Sequence, residues 1–179
     1  MNNPAKDRSD DHFARPEDIE LIVLDVDGIL TDGSINLHDD GSETKRFNVR
    51  DGFAMKAWLD AGFPLAIITA RAGQSLLHRC RTLGIDEQLI FQGSKDKSVA
   101  LDRVLAQTGK TLSQTAYMGD DWPDLCALRR VALPMTVADA EPEVLDAAAF
   151  VTERKGGHGA VREAIAMILT AKGLYTPTS

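Results

Sequence analysis

From Ile19 the chain enters a short apolar run, IELIVLD, of the kind that forms a strand buried on both faces of a parallel sheet. Comparable runs recur at 64–69, 89–92, 115–118, 131–137 and 149–152. Between them the apolar residues fall at helical spacing: Leu76, Leu77, Cys80 and Leu83, then Ala100, Leu101, Val104 and Leu105, and later Val161, Ala164, Ile165 and Ile168. A further helix is expected over 52–61. Strand and helix alternate, so the crossovers are right-handed and the fold class is α/β: a Rossmann-like three-layer sandwich with a mainly parallel sheet. Ligands of such folds bind outside the carboxyl ends of the strands. One stretch breaks the rhythm. Residues 35–47, INLHDDGSETKRF, place two short alternating segments around Asp39, Asp40 and Gly41, which predicts an inserted β-hairpin.

The 179 residues suit one domain, expected over 19–172, with a core large enough to need no disulfide. Residues 1–18 are polar and aperiodic and read as a disordered arm that adds nothing to the fold; 173–179 read as a flexible tail. The formal charge of −7 argues against a nucleic-acid backbone or an anionic membrane as main partner. No segment approaches a membrane span and the start carries no hydrophobic signal region, so the expected location is the cytoplasm. Cys80 and Cys126 both sit in apolar helical patterns, where a buried free thiol is expected.

Candidate chemistry gathers where strands end. Asp25-Val26-Asp27-Gly28 closes the first run, and carboxylates at i and i+2 can project to one side. Their repulsion calls for a divalent metal, an acid/base pair, or both; a surface turn is the plain alternative. Thr69-Ala70-Arg71 closes the second long run, and Lys97 opens the helix after the third. A helix cap would account for the threonine, and a solvated charge for the lysine. The fourth run ends in Gly119-Asp120-Asp121-Trp122-Pro123-Asp124, where capping explains one acid but not three.

These four groups, in this order, resemble the motifs of the haloacid dehalogenase superfamily of phosphohydrolases over much of the chain. The resemblance implies that Asp25 is a nucleophile forming an aspartyl phosphate, and that Asp27 is the general acid and base. It implies that Thr69 and Lys97 hold the phosphoryl group. A Mg2+ cofactor would be bound by Asp25, the backbone carbonyl of Asp27 and Asp120, with Asp121 or Asp124 holding its waters. Only 28–68 separate Asp27 from Thr69, and only 70–96 separate Thr69 from Lys97, so no large cap domain fits. Capless relatives resemble homotetramers whose hairpins assemble centrally and whose neighbouring subunits close each site.

A tighter resemblance rests on Asp32-Gly33, Phe47-Asn48-Val49-Arg50-Asp51-Gly52, Ala138-Asp139-Ala140 and Gly156-Gly157-His158-Gly159-Ala160-Val161-Arg162-Glu163. It points to capless phosphatases that release an eight-carbon acidic sugar from its phosphate ester, in the making of lipopolysaccharide precursors. The small-molecule substrate needs a cationic site for its carboxylate. Arg71 is the nearest candidate, with Arg50, or Arg154, Lys155 and Arg162 of the next subunit, as a second contact. A related nine-carbon acidic sugar phosphate is the runner-up. A phosphorylated receiver domain uses similar residues, but places its acidic pair first and its lysine last. A non-catalytic scaffold would have lost Asp25 or Asp27. His12, His38, His78 and His158 read as ordinary surface residues, with His158 the one whose loop is expected near a neighbour's site.

Overall fold

The computed structural model describes residues 13–175. Strand β1 (Leu21–Leu24) is buried at every position. It lies mid-sheet with helices on either side, so alternation has no solvent face to serve. The chain continues through the hairpin β2 (Asn36–Leu37) and β3 (Glu43–Thr44), then α1 (Val49–Asp60), β4 (Leu65–Ile68), α2 (Gln74–Leu83), β5 (Ile90–Phe91) and α3 (Lys97–Thr108). The second half runs β6 (Thr115–Met118), α4 (Leu125–Leu128), β7 (Leu133–Thr136), α5 (Pro142–Ala147), β8 (Phe150–Val151) and α6 (Ala160–Ala171). Six strands form one parallel sheet in the order β5-β4-β1-β6-β7-β8. Helix α1 packs on α6 and α2, and α4 packs on α3 and α5, completing three layers. The sheet order steps away from β1 in both directions, the reversal beside which such folds bind ligands.

The inserted hairpin is real but short, with Asn36 opposite Thr44 and Leu37 opposite Glu43. Helix α1 starts at Val49 rather than at 52, because the Asn48 side chain accepts the Arg50 N–H at 2.9 Å and caps it. Cys80 is buried as expected, which pushes its thiol up to about 11, but Cys126 is exposed. Helix α4 is a single turn that turns Ala127 and Leu128 into the core, leaving Cys126 on the outer side.

The end of the expected arm contributes to the fold. Ala14 donates its N–H to Ala132 O at 3.0 Å, and a 3-10 turn at Pro16–Asp18 lies against α6. Residues 1–12, with His12, lie outside the described residues, as do 176–179 of the expected tail. Leu174 and Tyr175 still donate to Leu169 O. Among the described residues no helix is long and apolar enough to cross a membrane.

The segment 156–159 folds onto the loop after β1. Gly157 N–H bonds Ile29 O at 2.9 Å, and a Cβ on Gly156 would overlap Gly28 O. Asn48 donates to Gly157 O at 3.1 Å, and Asp51, buried, accepts the Arg162 N–H at 2.8 Å. The glycine-rich segment therefore buttresses its own chain's strand-end loop.

Candidate active site

A parallel sheet brings all its carboxyl ends to one edge, so residues distant in sequence become neighbours. Asp25 leaves β1, Thr69 leaves β4, Lys97 opens α3 after β5, and Asp120 follows β6. They line a cavity of about 250 Å³ together with Asp27, Arg71, Asp121 and Asp124.

Lys97, 3% exposed, is the hub. Its Nζ lies 3.0 Å from Asp25 Oδ1 and 2.7 Å from Asp124 Oδ1. An ammonium this deeply buried needs such partners, and a lysine 3% exposed is no solvated surface charge. Asp124 also accepts the Tyr117 hydroxyl at 2.7 Å. Thr69 is buried and lies outside α2, whose first residue is Gln74, so it caps no helix there. Its Oγ1 accepts the Arg71 N–H at 3.3 Å, and its own N–H bonds Phe91 O at 2.9 Å.

Carboxylate oxygens of Asp25, Asp120 and Asp124 lie within 4.8 Å of one another. Among the described residues, Asp120 Oδ1 is buried and finds no hydrogen-bond partner. A Cβ on Gly28, which sits at φ +88°, would overlap the Asp120 carboxylate, and one on Gly119 would overlap that of Asp124. The chain thus reserves space for these carboxylates and leaves one oxygen of Asp120 unsatisfied. A hard divalent cation fits that donor set. Asp121 and Asp124, equivalent in sequence, separate here. Asp124 is buried and tied to Lys97, whereas Asp121 is exposed and bonds the Trp122 N–H at 2.7 Å.

Burial, then the charge of Asp124, pushes Asp25 up to about 7. Burial, then Asp25 and Asp124, pushes Asp120 up to about 8. Both groups hold protons more tightly folded than unfolded, so without metal they favour the fold when protonated, and that contribution is lost as pH rises towards 8. Metal-free protein should therefore be less resistant to denaturant at about pH 8.5 than at about pH 6, and magnesium should narrow the gap. Unfolding curves in EDTA whose midpoint rises across that window would contradict this.

Arg71 reaches the cavity, but its guanidinium is paired with Glu43 on β3, with Nε 3.9 Å from Asp27 Oδ2. Arg50 is exposed on the first turn of α1 and does not line the cavity. Arg162 stands over the Phe53 ring at 5.4 Å, and His158 Nδ1 lies 2.7 Å from Gly156 O. Lys45, which pattern reading passed over, is bonded to Asp27 and lies 3.3 Å from Glu43 Oε1. Only the fold of the hairpin brings it there. Its one sequence signal is its place two residues after Glu43, just past β3.

Paired acids, a threonine and a lysine on one edge of a Rossmann-like sheet define a class of phosphoryl-transfer hydrolases. Residues 88–165 match the family model described as haloacid dehalogenase-like hydrolase. The chain is 41% identical over 165 residues to the 3-deoxy-D-manno-octulosonate 8-phosphate phosphatase KdsC of Escherichia coli K12, covering 92% of this chain and 87% of that one. The crystal structure of the Yersinia pestis 3-deoxy-D-manno-octulosonate 8-phosphate phosphatase shares 42% identity and a TM-score of 0.86, over 89% of this chain and 85% of that one. A structure of the Moraxella catarrhalis phosphatase of that name, in complex with magnesium ion, phosphate ion and a KDO molecule, shares 40% identity and a TM-score of 0.85, over 88% and 90% of the chains. The chain belongs to the haloacid dehalogenase-like hydrolases and, within them, to the family of these 3-deoxy-D-manno-octulosonate 8-phosphate phosphatases.

Proposed function

We propose that this chain is a magnesium-dependent phosphatase that hydrolyses 3-deoxy-D-manno-octulosonate 8-phosphate to the free sugar acid and phosphate. The observation that carries the reading is the convergence of Asp25, Asp27, Thr69, Lys97 and Asp120 on one cavity, in a chain so similar to phosphatases of that name.

In the first step a carboxylate oxygen of Asp25 bonds to phosphorus while the bond from phosphorus to the sugar oxygen breaks. Asp27 gives its proton to that departing oxygen. In the second step water attacks the aspartyl phosphate, Asp27 takes the proton, and the bond from Asp25 to phosphorus breaks to release phosphate. Thr69 and Lys97 hold the phosphoryl oxygens, and the Lys97 ammonium, beside Asp25, offsets the repulsion between two anions. Asp25, the Asp27 carbonyl and Asp120 would hold a magnesium ion, which supplies charge neutralisation at the phosphoryl group. Asp124, or the more exposed Asp121, would hold its waters. Arg71 at the cavity wall selects a substrate bearing a carboxylate.

The catalytic unit is proposed to span 19–172 and to work as a homotetramer. The hairpin leaves Ile35 and Leu37 56% and 70% exposed at i and i+2, an apolar edge suited to a second copy. A fully active monomer in sedimentation would contradict that assembly. Reducing cytoplasm is the compartment that suits the exposed Cys126 thiol.

The test is phosphate release from the eight-carbon acid phosphate, a nine-carbon acid phosphate and a neutral hexose phosphate, each with magnesium or EDTA. Release should require magnesium and should favour the eight-carbon acid over the neutral ester by about tenfold or more. Preference for the neutral ester would overturn the substrate, and full activity in EDTA would overturn the cofactor.

A further inference from the structure

The hairpin does more than leave the sheet. Its tip is fixed by His38 N–H to Ser42 O at 2.9 Å, Ser42 N–H to Asp40 Oδ1 at 2.8 Å, and His38 Nε2 against Thr44 Oγ1 at 2.8 Å. Past β3, Arg46 pairs with Asp32 at 2.7 Å, tying the returning strand to the loop that follows Asp25 and Asp27. Between these clamps Glu43 and Lys45, two residues apart, project to one side.

The side chain of Lys45 is only 8% exposed, and its ammonium is shared between Asp27 and Glu43 Oε1. The other Glu43 oxygen holds Arg71. Two cations and two anions thus alternate: Asp27, Lys45, Glu43, Arg71. Such an arrangement offsets the cost of burying the ammonium and keeps Lys45 and Arg71 from repelling each other. Asp27 and Arg71 line the cavity, whereas Glu43 and Lys45 stand off its wall. The pairs therefore tie the two cavity residues to the hairpin. On the phosphatase reading, Lys97 would serve the phosphoryl end of the cavity and this second set would sit where Asp27 meets the leaving group.

We propose that Glu43 and Lys45 are positioning residues for the leaving-group half of the reaction. Lys45 aims Asp27 at the departing sugar oxygen, and Glu43 aims Arg71 at the acidic end of the substrate. The proposal rests on the phosphatase reading above, and each can fail separately, because the substrate preference of the unsubstituted enzyme tests that reading while the variants test this one.

The experiment compares Lys45→Met, Lys45→Arg and Glu43→Gln with the unsubstituted enzyme, on the eight-carbon acid phosphate and on p-nitrophenyl phosphate, with magnesium. Sedimentation of each variant accompanies the kinetics. Lys45→Met should lower kcat on the sugar phosphate by roughly tenfold to a hundredfold with KM little changed. Its loss on the aryl ester should be about tenfold smaller, because nitrophenolate departs without a proton. Lys45→Arg should recover part of the loss. Glu43→Gln should instead raise KM for the sugar acid phosphate by roughly tenfold, with a much smaller rise for the aryl ester. Any other division of the effects between kcat and KM overturns the assignment. Parallel losses on both substrates, together with altered sedimentation, would show that the two residues serve only to anchor the hairpin.

Discussion

Asp25→Asn is expected to abolish phosphate release, by about 10⁴-fold or more, because an amide is not a nucleophile that can carry the phosphoryl group. The substitution keeps the shape of the side chain, and the Asp25 N–H still reaches Met118 O. Its effect on stability should run the other way. The carboxylate is buried among Asp120 and Asp124 and is pushed up to about 7, so replacing it with a neutral group relieves repulsion in metal-free protein. At about pH 8 in EDTA the variant should unfold at a higher denaturant concentration than the parent. Phosphate release and chemical unfolding on the same preparation check both halves. Substantial turnover in the variant would remove Asp25 from the role of nucleophile, and a variant no more resistant to denaturant than the parent would refute the crowding.

Lys97→Met should produce the other large effect, and with opposite stability. The ammonium is the cation that bridges Asp25 and Asp124, at 3.0 and 2.7 Å. Removing one partner of a buried ionic cluster leaves the rest uncompensated, at a cost of about 3–5 kcal/mol. The acids can recover part of that loss by taking up protons or a divalent cation, so the deficit should shrink in magnesium and at lower pH. Activity should not follow. With the donor to the phosphoryl oxygens gone, kcat should remain depressed by about 10²-fold or more even when magnesium restores the fold. Urea titrations with and without magnesium, set beside kcat, separate the two. A variant as stable as the parent in EDTA would contradict the central place given to Lys97.

The parts of this site that could be read in the chain are those carried by strand ends. Asp25, Thr69 and Asp120 follow apolar runs, and Lys97 begins a periodic one, so the parallel sheet fixes their common edge before any coordinate is known. The hairpin was legible too, from Asp39-Asp40-Gly41 between alternating segments. Its reach was not, because whether Lys45 meets Asp27 and Glu43 meets Arg71 depends on how the hairpin bends over the sheet, which no local pattern encodes. The roles of Asp121 and Asp124 diverge for a similar reason: a single turn buries one and exposes the other. Cys126 is exposed against the expectation from its apolar neighbours, because a four-residue helix is too short for periodicity to define a face. The docking of the arm's end has no local signal, because Ala14 bonds a residue more than a hundred positions away, Ala132.

The most direct test is to capture the phosphoryl group on the protein. Asp27→Asn should retain Asp25 as nucleophile but lose the base that activates water, so the intermediate should accumulate. An aryl phosphate, whose leaving group needs no proton, can load it in magnesium. After acid quench, mass spectrometry of the digested protein should show one added phosphoryl group on the peptide containing Asp25, and none when Asp25→Asn is combined with Asp27→Asn. Phosphate released without any such adduct, or an adduct on another residue, would contradict the account.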